Sequence, residues 1–412
     1  MPSEPEVDPP AGAPTPGTPD QNSTAPASRM LMLATLGFLV NFWAWTLISP
    51  LGSAYQDDLD LSAFQTSFLV AVPVIVGSIG RIPVGALTDR LGARVMFPAV
   101  SALTILPVLF IGLIANNYVS LIIGGFVLGL GGTTFAIGIP LVNAWYAPER
   151  RGLALGIYGM GMGGTAVAAF STVQIADAYG RAAPFLLVAA ILVIYTAVAS
   201  AWLRDAPGRV AATGSFLART WQTVKIPATG QLSLIYAVGF GGFVAFSVYL
   251  PTYLINAYGL SETDAAMRTA GFVVLAVVMR PIGGWLSDKF HPTSVLVVAF
   301  GAATVLAALA AAELELLPAG TVAFLGLAAA LGASSGACFA LVSKLAPAGT
   351  VGSVTGIVGA AGGLGGFMPP LVMGAVYTQT GQYTIGLALL ALVTLGTALF
   401  SWGIGRKTRT AI

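Results

Sequence analysis

The sequence is a succession of long apolar runs separated by short polar segments. Most runs contain about 20 residues, the length that an α-helix needs to cross the hydrocarbon core of a bilayer. A membrane β-barrel would instead show short segments of alternating polarity. The runs predict twelve transmembrane helices, which we name span 1 to span 12, over residues 30–50, 63–86, 95–115, 118–143, 152–176, 182–203, 228–255, 266–286, 293–312, 319–343, 352–377 and 382–404.

Composition supports the same fold class. Of the 412 residues, 56% are apolar and only 8% are charged, whereas globular proteins average about 25% charged residues. Because so few charges cannot cover a soluble domain, we expect an all-α polytopic membrane protein embedded in the lipid bilayer. The sequence has one cysteine, Cys338, and one histidine, His291, which excludes a disulfide framework and a Cys or His metal cluster. We expect no cofactor, no metal and no nucleic-acid partner.

The charged residues indicate how the chain lies in the membrane. With both termini in the cytoplasm, fourteen of the 18 Lys and Arg residues face the cytoplasm, and only Arg181 and Arg268 face outside. This bias follows the positive-inside rule and predicts a multi-pass protein of the plasma membrane, which we expect to be a monomer. Residues 1–29 are rich in Pro, Ser, Thr, Ala and acids and are predicted to be a disordered tail. Residues 406–412 are predicted to be a second cytoplasmic tail.

The chain contains an internal repeat with an offset of about 200 residues. The segment GIYG at 156–159 aligns with GIVG at 356–359, and a glycine follows four residues after each of them. The repeat predicts two pseudo-symmetric six-helix bundles, residues 30–203 and 228–405, joined by a cytoplasmic linker at residues 204–227. Two such halves in parallel resemble the architecture of major facilitator transporters.

Two arginines stand inside the predicted spans, and no Asp, Glu, Lys or His stands there with them. Arg81 and Arg280 are 199 residues apart, and each precedes an aspartate by eight residues. Eight helical residues are about 12 Å long, so each arginine lies well toward the midplane of a core about 30 Å thick. A charge there costs at least about 2.5–3.5 kcal/mol and needs a partner. We interpret that partner as the substrate, an anion bound between the two guanidinium groups.

The guanidinium group suits planar oxyanions, because it is flat, always charged and offers parallel N–H donors. Nitrate, nitrite and small carboxylates all have a suitable shape. The alternative is that both side chains extend toward the cytoplasm or bond to backbone carbonyls that Pro83 and Pro281 leave without an amide donor.

A short charged turn follows span 2 and resembles the signature loop between helices 2 and 3 of the major facilitator superfamily. The motif contains Gly85, Asp89, Arg90, Gly92 and Arg94, and Asp288 stands in a weaker copy after span 8. We predict a cytoplasmic latch, in which Asp89 pairs with an arginine or a helix N-terminus across the interface of the two halves in one conformation only. The alternative is a plain charged turn.

Spans 5 and 11 are rich in glycine, and small residues at such spacing let helices approach closely and slide. Ordinary tight packing is the alternative for any single glycine. Because the runs occur in both members of a repeat pair, we predict a moving interface beside the cavity. The glycines that we expect to take part are Gly159, Gly161, Gly359 and Gly362.

The Arg81 segment, the loop WYAPERRG at 145–152 and the paired glycine runs resemble the nitrate/nitrite porters of this superfamily. The resemblance covers nearly all of residues 30–404. It implies one substrate-binding arginine in span 2 and one in span 8, which match Arg81 and Arg280, and aromatic residues that sandwich the planar anion. The matching aromatic residues are Phe135 in span 4 and Tyr236 and Phe240 in span 7. Packing against lipid or the core is the alternative for these three residues.

The resemblance also implies contacts with the anion at Met162 and Gly163 in span 5 and at Gly363 in span 11. Met162 departs from the family, which has an asparagine there, and a thioether donates no hydrogen bond. A proton symporter often uses a titratable residue inside its spans. The absence of one favours anion exchange or uniport, unless an interfacial group such as Asp57 or Asp177 carries a proton.

We therefore expect a secondary active transporter of small inorganic anions, nitrate and nitrite, that works by alternating access. A small-carboxylate exchanger of the same fold, taking ions such as formate or oxalate, is the first alternative. A multidrug exporter would favour a wider, more apolar cavity without paired arginines. A membrane-embedded enzyme or sensor would need a nucleophile, a metal cluster or a sizeable soluble domain. The sequence contains none of these, so we expect no enzymatic activity.

Overall fold

The computed structural model describes residues 24–209, 211–212, 215–366 and 368–409, and the regular elements in these ranges are all helices. The α-helices are α1 (Thr24–Trp45), α2 (Gly52–Asp58), α3 (Ala63–Leu91), α4 (Ala93–Leu113), α5 (Tyr118–Leu128), α6 (Phe135–Trp145), α7 (Arg151–Gly159), α8 (Gly164–Tyr179), α9 (Ala183–Trp202), α10 (Phe216–Lys225), α11 (Pro227–Tyr258), α12 (Glu262–Lys289), α13 (Pro292–Ala311), α14 (Thr321–Leu345), α15 (Val351–Gly365), α16 (Met368–Thr380) and α17 (Thr384–Arg409). Short 3-10 segments at 49–51, 129–133, 148–150 and 160–163 and a π-helical segment at 316–320 join neighbouring helices.

The prediction of an all-α polytopic membrane protein is confirmed. In the described ranges, 11 helical stretches are long and apolar enough to cross a membrane, and they correspond to spans 1–10 and 12. Span 11 is divided into α15, which is apolar but shorter, and α16. Span 1 is α1 with α2, spans 2 and 3 are α3 and α4, span 4 is α5 with α6, span 5 is α7 with α8, span 6 is α9, spans 7 to 10 are α11 to α14, and span 12 is α17.

The helices extend beyond several predicted boundaries. α1 begins at Thr24, so residues 24–29 of the predicted tail are helical, while residues 1–23 lie outside the described residues. α17 continues to Arg409 through the predicted C-terminal tail, of which residues 410–412 lie outside the described residues. The hydropathy pattern places the predicted end of a span at the first charged residues, whereas the helix itself continues until its backbone hydrogen bonds end.

The predicted linker contains a helix, α10. It begins after Ser215, whose hydroxyl accepts a hydrogen bond of 3.3 Å from the Ala218 amide and so caps the helix. Trp221 and Val224 are 62% and 49% exposed on α10, and the Lys225 Nζ lies 5.1 Å from the Trp221 ring centroid. Exposed apolar side chains beside a cation are typical of a helix that lies at a membrane interface.

Spans 2 and 8 run past their predicted ends, to Leu91 and Lys289. Asp89 and Asp288 therefore lie in the last helical turns and not in loops. Span 2 ends at Gly92, whose φ of +88° is a conformation that favours glycine. The chain enters span 3 directly after this residue, at Ala93.

Spans 3, 6, 9 and 12 present apolar side chains outward. The exposed residues are Leu103 and Leu106 on span 3, Val193 and Ile194 on span 6, Val298 and Val305 on span 9, and Leu392 and Leu399 on span 12. Such faces suit contact with acyl chains. By contrast, 72% of the most apolar window of span 4 is buried, against 33% for span 6. Span 4 is therefore an interior helix.

Spans 1–6 (the N-half) and spans 7–12 (the C-half) meet most extensively along two helix pairs, span 2 with α15 and span 8 with α7. Glycines let the backbones approach at both pairs. A Cβ added to Gly356 would lie 3.2 Å from the Ile82 Cα, and a Cβ added to Gly156 would lie 2.6 Å from the Pro281 Cα. Side chains of spans 2 and 8 at this level therefore face the opposite half.

Candidate functional site

Arg81 is buried where span 2 meets both span 4 and α15. Its side chain is 1% exposed. The Nε donates a hydrogen bond of 3.1 Å to the Gly132 carbonyl, and the Nη1 donates one of 2.7 Å to the Gly359 carbonyl. The second terminal nitrogen, Nη2, makes no hydrogen bond to a described residue.

Arg280 occupies the corresponding place on span 8 and is 3% exposed. Its Nη1 donates a long hydrogen bond of 3.4 Å to the Gly159 carbonyl. Its Nη2 is buried and makes no hydrogen bond of good geometry to a described residue, although the Tyr236 hydroxyl lies close to the guanidinium group. Arg280 is therefore less completely bonded by the protein than Arg81.

Neither guanidinium group forms an ion pair within the described ranges, where other arginines do, for example in the pairs Arg181–Asp58 and Arg268–Asp264. The alternative of bonding to backbone carbonyls is thus partly realised. The carbonyls that accept these bonds belong to glycines of other spans. They are not the carbonyls of Ile79 and Val277, which lack an amide donor because of Pro83 and Pro281. Neither side chain extends to an exposed surface.

Each arginine bonds to a glycine of the opposite half. Arg81 of the N-half reaches Gly359 on α15, and Arg280 of the C-half reaches Gly159 at the end of α7. A Cβ added to Gly359 would lie 3.1 Å from the Arg81 Cδ, and one added to Gly159 would lie 3.3 Å from the Arg280 Nη1. Glycine is needed at both places because the guanidinium group lies directly against the helix backbone.

The three predicted aromatic residues form one stack beside the arginines. The ring centroids of Phe135 and Tyr236 are 6.0 Å apart with planes 6° apart, and those of Tyr236 and Phe240 are 4.9 Å apart with planes 1° apart. The Phe240 centroid lies 5.9 Å from the Arg81 Cζ and 5.3 Å from the Arg280 Cζ. Phe240 is therefore within cation–π distance of both guanidinium groups. The Tyr236 hydroxyl is buried and has no hydrogen-bond partner among the described residues.

Span 1 contributes aromatic residues that sequence reasoning missed. The ring centroids of Phe42 and Trp45 each lie 5.9 Å from the Arg81 Cζ, and Phe38 packs on Phe135 with centroids 5.5 Å apart. The signal was present in the sequence. Aromatic residues at 38, 42 and 45 recur at 236, 240 and 243, and in both sets the spacing puts all three on one helix face.

Phe339 of span 10 was missed as well. Its ring meets those of Phe135 and Tyr236 edge-on, with centroids 4.9 and 4.7 Å away and planes 80° and 81° apart. The pair Phe-Ala occurs at 135–136 and again at 339–340. That recurrence was the available signal for a second phenylalanine beside the stack.

The glycine-run residues predicted to contact the anion lie at unequal distances from the arginines. A Cβ added to Gly363 would lie 3.4 Å from the Arg81 Nη1. A Cβ added to Gly163 would meet only the Val277 Cγ1, at 3.9 Å. Met162 is 3% exposed and packs in the main apolar cluster. The structure thus brings Gly363 to Arg81 and leaves open space beside Gly163.

The aspartate at the end of span 2 binds the N-terminus of α15. One Asp89 carboxylate oxygen accepts a hydrogen bond of 2.8 Å from the Gly352 amide. The other accepts hydrogen bonds of 2.8 Å from the Ser353 amide and 2.6 Å from the Ser353 hydroxyl. A carboxylate is stabilised there because the amides at a helix N-terminus lack partners within the helix and carry partial positive charge.

Asp288 makes the repeat-related contact at the end of span 8. Its two oxygens accept hydrogen bonds of 2.7 Å from the Gly152 amide and 2.8 Å from the Leu153 amide of α7. Both aspartates therefore join the N-half to the C-half at the same end of the protein, which we call the latch end. A helix N-terminus, one of the partners predicted for Asp89, is among its partners in the structure.

Residues 34–370 match the family model of the Major Facilitator Superfamily. The chain belongs to this superfamily. It is 48% identical over 370 residues to the "Probable nitrate/nitrite transporter NarK2" of Mycobacterium tuberculosis, covering 89% of this chain and 93% of that protein. It is 38% identical over 400 residues to the "Nitrite extrusion protein" of Bacillus subtilis, covering 92% and 96%. The crystal structure of the superfamily transporter FucP in the outward conformation has a TM-score of 0.73 at 19% identity, covering 91% of this chain and 98% of that one.

The remaining motif residues of this superfamily member take different places. Gly85 packs on α15, where an added Cβ would lie 3.2 Å from the Gly356 Cα. Arg90 and Arg94 are exposed at the latch end. An added Cβ on Gly161 would lie 2.6 Å from the Phe38 ring, and one on Gly362 would lie 3.0 Å from the Phe240 ring. The glycines therefore lie at contacts between spans, and their part in motion stays a prediction.

The transporter also has linker residues at the latch end that sequence reasoning missed. One Asp205 carboxylate oxygen accepts hydrogen bonds of 2.9 Å from the Ala93 amide and 3.2 Å from the Arg94 amide, at the N-terminus of span 3. The Arg209 Nη2 donates hydrogen bonds of 2.9 Å to the Asp89 carbonyl and 3.3 Å to the Thr88 carbonyl. The start of the linker is thus fixed to the two helix ends that flank Gly92.

Proposed function

We propose that this superfamily member transports nitrate and nitrite across the membrane by alternating access. One observation supports the proposal above the others. Two buried arginines from opposite halves lie beside the same aromatic stack, neither Nη2 makes a hydrogen bond of good geometry to a described residue, and neither arginine has a carboxylate partner in the described ranges. The names of two relatives, a nitrate/nitrite transporter and a nitrite extrusion protein, agree with this chemistry.

The anion enters this arrangement as the missing counter-ion. Arg81 and Arg280 donate to its oxygens from opposite halves, and charge-assisted bonds of this kind are about twice as strong as neutral ones. The rings of Phe135, Tyr236 and Phe240 provide flat apolar faces beside the two arginines, which suit a planar ion. Binding therefore draws both halves toward one ligand, which is the coupling that alternating access requires.

We further propose that the latch end faces the cytoplasm, together with both termini, in the plasma membrane, and that the protein works as a monomer. The positive-inside distribution of Lys and Arg supports this orientation. With both aspartate contacts formed, the structure then corresponds to a state closed toward the cytoplasm. Opening toward the cytoplasm requires both aspartates to leave the helix N-termini.

Uptake of isotopically labelled nitrate into proteoliposomes containing the purified protein tests the function. We expect saturable uptake that unlabelled nitrite competes for, and that formate and oxalate inhibit only at concentrations at least about tenfold higher, a difference of 1.4 kcal/mol. Replacing both Arg81 and Arg280 by alanine should reduce uptake to that of empty liposomes. Equal competition by formate would instead support the carboxylate exchanger, and uptake by the double variant would refute the two-arginine site.

A further inference from the structure

The hydroxyl of Ser78 is buried beside Arg81 without a hydrogen-bond partner among the described residues. The residue is 0% exposed. It precedes Arg81 by three residues, so both side chains project from neighbouring positions on one face of span 2. A buried hydroxyl that bonds to nothing destabilises a fold. Such a group in a native structure needs an explanation, and a ligand that arrives later supplies one.

Gly363 shows that the Ser78 hydroxyl and the Arg81 guanidinium group lie against the same glycine. A Cβ added to Gly363 would touch the Ser78 Oγ and would lie 2.9 Å from the Ser78 Cβ and 3.4 Å from the Arg81 Nη1. Any larger residue at 363 would come between the two side chains. The two donors are therefore close enough to each other for one small anion to contact both.

The internal repeat shows that the fold does not need a hydroxyl at this position. The offset of 199 residues that relates Arg81 to Arg280 relates Ser78 to Val277. Val277 is 8% exposed and lies opposite Gly163 as Ser78 lies opposite Gly363. An apolar side chain thus fills the same place in the C-half. The hydroxyl is a feature of the Arg81 side alone.

We propose that Ser78 donates a hydrogen bond to the third oxygen of nitrate and so makes the site discriminate nitrate from nitrite. This inference rests on the proposed function. Nitrite has two oxygens, which the free Nη2 groups of Arg81 and Arg280 satisfy. Nitrate has a third oxygen, and a site that leaves it without a donor binds nitrate less well. Ser78 is the donor, supplied by one half only.

The test measures KM and maximal rate for labelled nitrate and labelled nitrite in proteoliposomes for the wild type and for Ser78→Ala. We expect the KM for nitrate to rise about tenfold and the KM for nitrite to change less than about twofold, as for the loss of one hydrogen bond to a charged ligand. The maximal rates should stay within about twofold. The matched control is Ser335→Ala, a buried serine whose hydroxyl donates to the Leu331 carbonyl at 2.9 Å, and both its KM values should equal those of the wild type.

Thermal unfolding without anion separates a ligand contact from a structural role. Removing an unpartnered hydroxyl should leave the Tm of Ser78→Ala equal to or above that of the wild type, whereas a structural serine would lower it. Tyr236→Phe is measured in parallel because the Tyr236 hydroxyl is the competing donor.

The inference is overturned if the two KM values of Ser78→Ala rise equally or not at all, if the Tm falls with the rate, or if Tyr236→Phe alone shifts the KM ratio. A wild-type protein that transports neither anion would refute the proposed function itself.

Discussion

At the scale of single residues, the two guanidinium groups differ in how many of their donors the protein itself uses. Arg81 uses Nε and Nη1 on two carbonyls and presents Nη2, an arrangement that depends on a planar group with several fixed donors. Arg280 has one long bond and a free Nη2. A lysine carries the same charge at both positions but cannot bond to the backbone and to a ligand in these fixed directions.

Replacing Arg81 by lysine should therefore reduce nitrate uptake at least about tenfold, because the loss of one charged hydrogen bond costs about 1.5–3 kcal/mol and 1.4 kcal/mol is tenfold. Arg406→Lys, at an exposed position near the end of span 12, is the matched control and should transport normally. The measurement is initial uptake in proteoliposomes at equal protein content. Normal transport by Arg81→Lys would contradict a role for the planar group.

Nitrate uptake should be as sensitive to a substitution at Gly359 as to one at Arg81, the arginine that Gly359 contacts. In Gly359→Ala, the new methyl group would lie 3.1 Å from the Arg81 Cδ and 3.2 Å from the Phe135 ring, tighter than ordinary contact, so the guanidinium group must shift. We expect a loss of uptake of about tenfold, equivalent to one charged hydrogen bond.

Gly396→Ala provides the control for this change, since an added Cβ on Gly396 meets nothing within 4 Å. Alanine is favoured over glycine within a helix by about 0.5–1 kcal/mol. The control should therefore keep normal uptake and an equal or higher Tm. Equal activity of both alanine variants would show that close contact at Gly359 is not required.

At the scale of helices, the N-termini of α15 and α7 are the partners of the two aspartates. Each aspartate accepts hydrogen bonds from the backbone amides of the second and third residues of the helix in the opposite half, α15 for Asp89 and α7 for Asp288. Backbone amides and the helix dipole are present whatever the side chain, so this contact depends on where the helix begins. A shift of the helix start by a single residue would misplace both amides.

Asp89→Asn should open the latch end more often. The amide side chain keeps one acceptor oxygen but loses the charge and the second acceptor, and each charged bond contributes about 1.5–3 kcal/mol. Spin labels at the exposed positions Arg94 and Lys344, in a protein whose Cys338 is replaced by alanine, report the distance between the halves. We expect the population with a long distance between the labels to be larger in Asp89→Asn than in the labelled wild type. An unchanged distance distribution would show that Asp89 does not hold the halves together.

Sequence patterns identified the helices and the arginines because both depend on local properties. Apolar runs of bilayer length gave the spans, and a charge inside such a run is visible without a structure. Asp205 and Arg209 were missed because a polar linker has no periodicity that indicates which helix end it meets. The aromatic residues of span 1 carry a signal only through the repeat, because a phenylalanine inside the bundle and one facing lipid look alike until the matching residues of span 7 are recognised.

At the scale of the whole protein, the internal repeat places two equivalent sets of contacts on opposite sides of one axis. Arg81 with Gly359 and Asp89 with Gly352 join the halves on one side, and the repeat-related residues join them on the other. While one latch is closed, it keeps the other pair close together, which raises their effective concentration. Single changes are therefore buffered by the intact copy.

In the double variant Asp89→Asn/Asp288→Asn, the free energy of the closed state relative to the open state should rise by more than the sum of the two single-variant changes, because the sites share one interface and couple. The same spin-label distances measure the open fraction in all four proteins. Strict additivity of the free energies would indicate two independent contacts.

Each half supplies a glycine carbonyl that accepts a hydrogen bond from the arginine of the other half. This arrangement has a consequence for the transporter when no anion is bound. A motion that separates span 2 from α15 and span 8 from α7 removes the glycine carbonyl to which each guanidinium group donates a hydrogen bond. Two cations near the middle of the membrane then lack these acceptors. Each then costs at least about 2.5–3.5 kcal/mol, unless cargo has replaced the lost oxygen. We therefore expect the return without bound anion to be slow, and an anion on the opposite side of the membrane to accelerate counterflow.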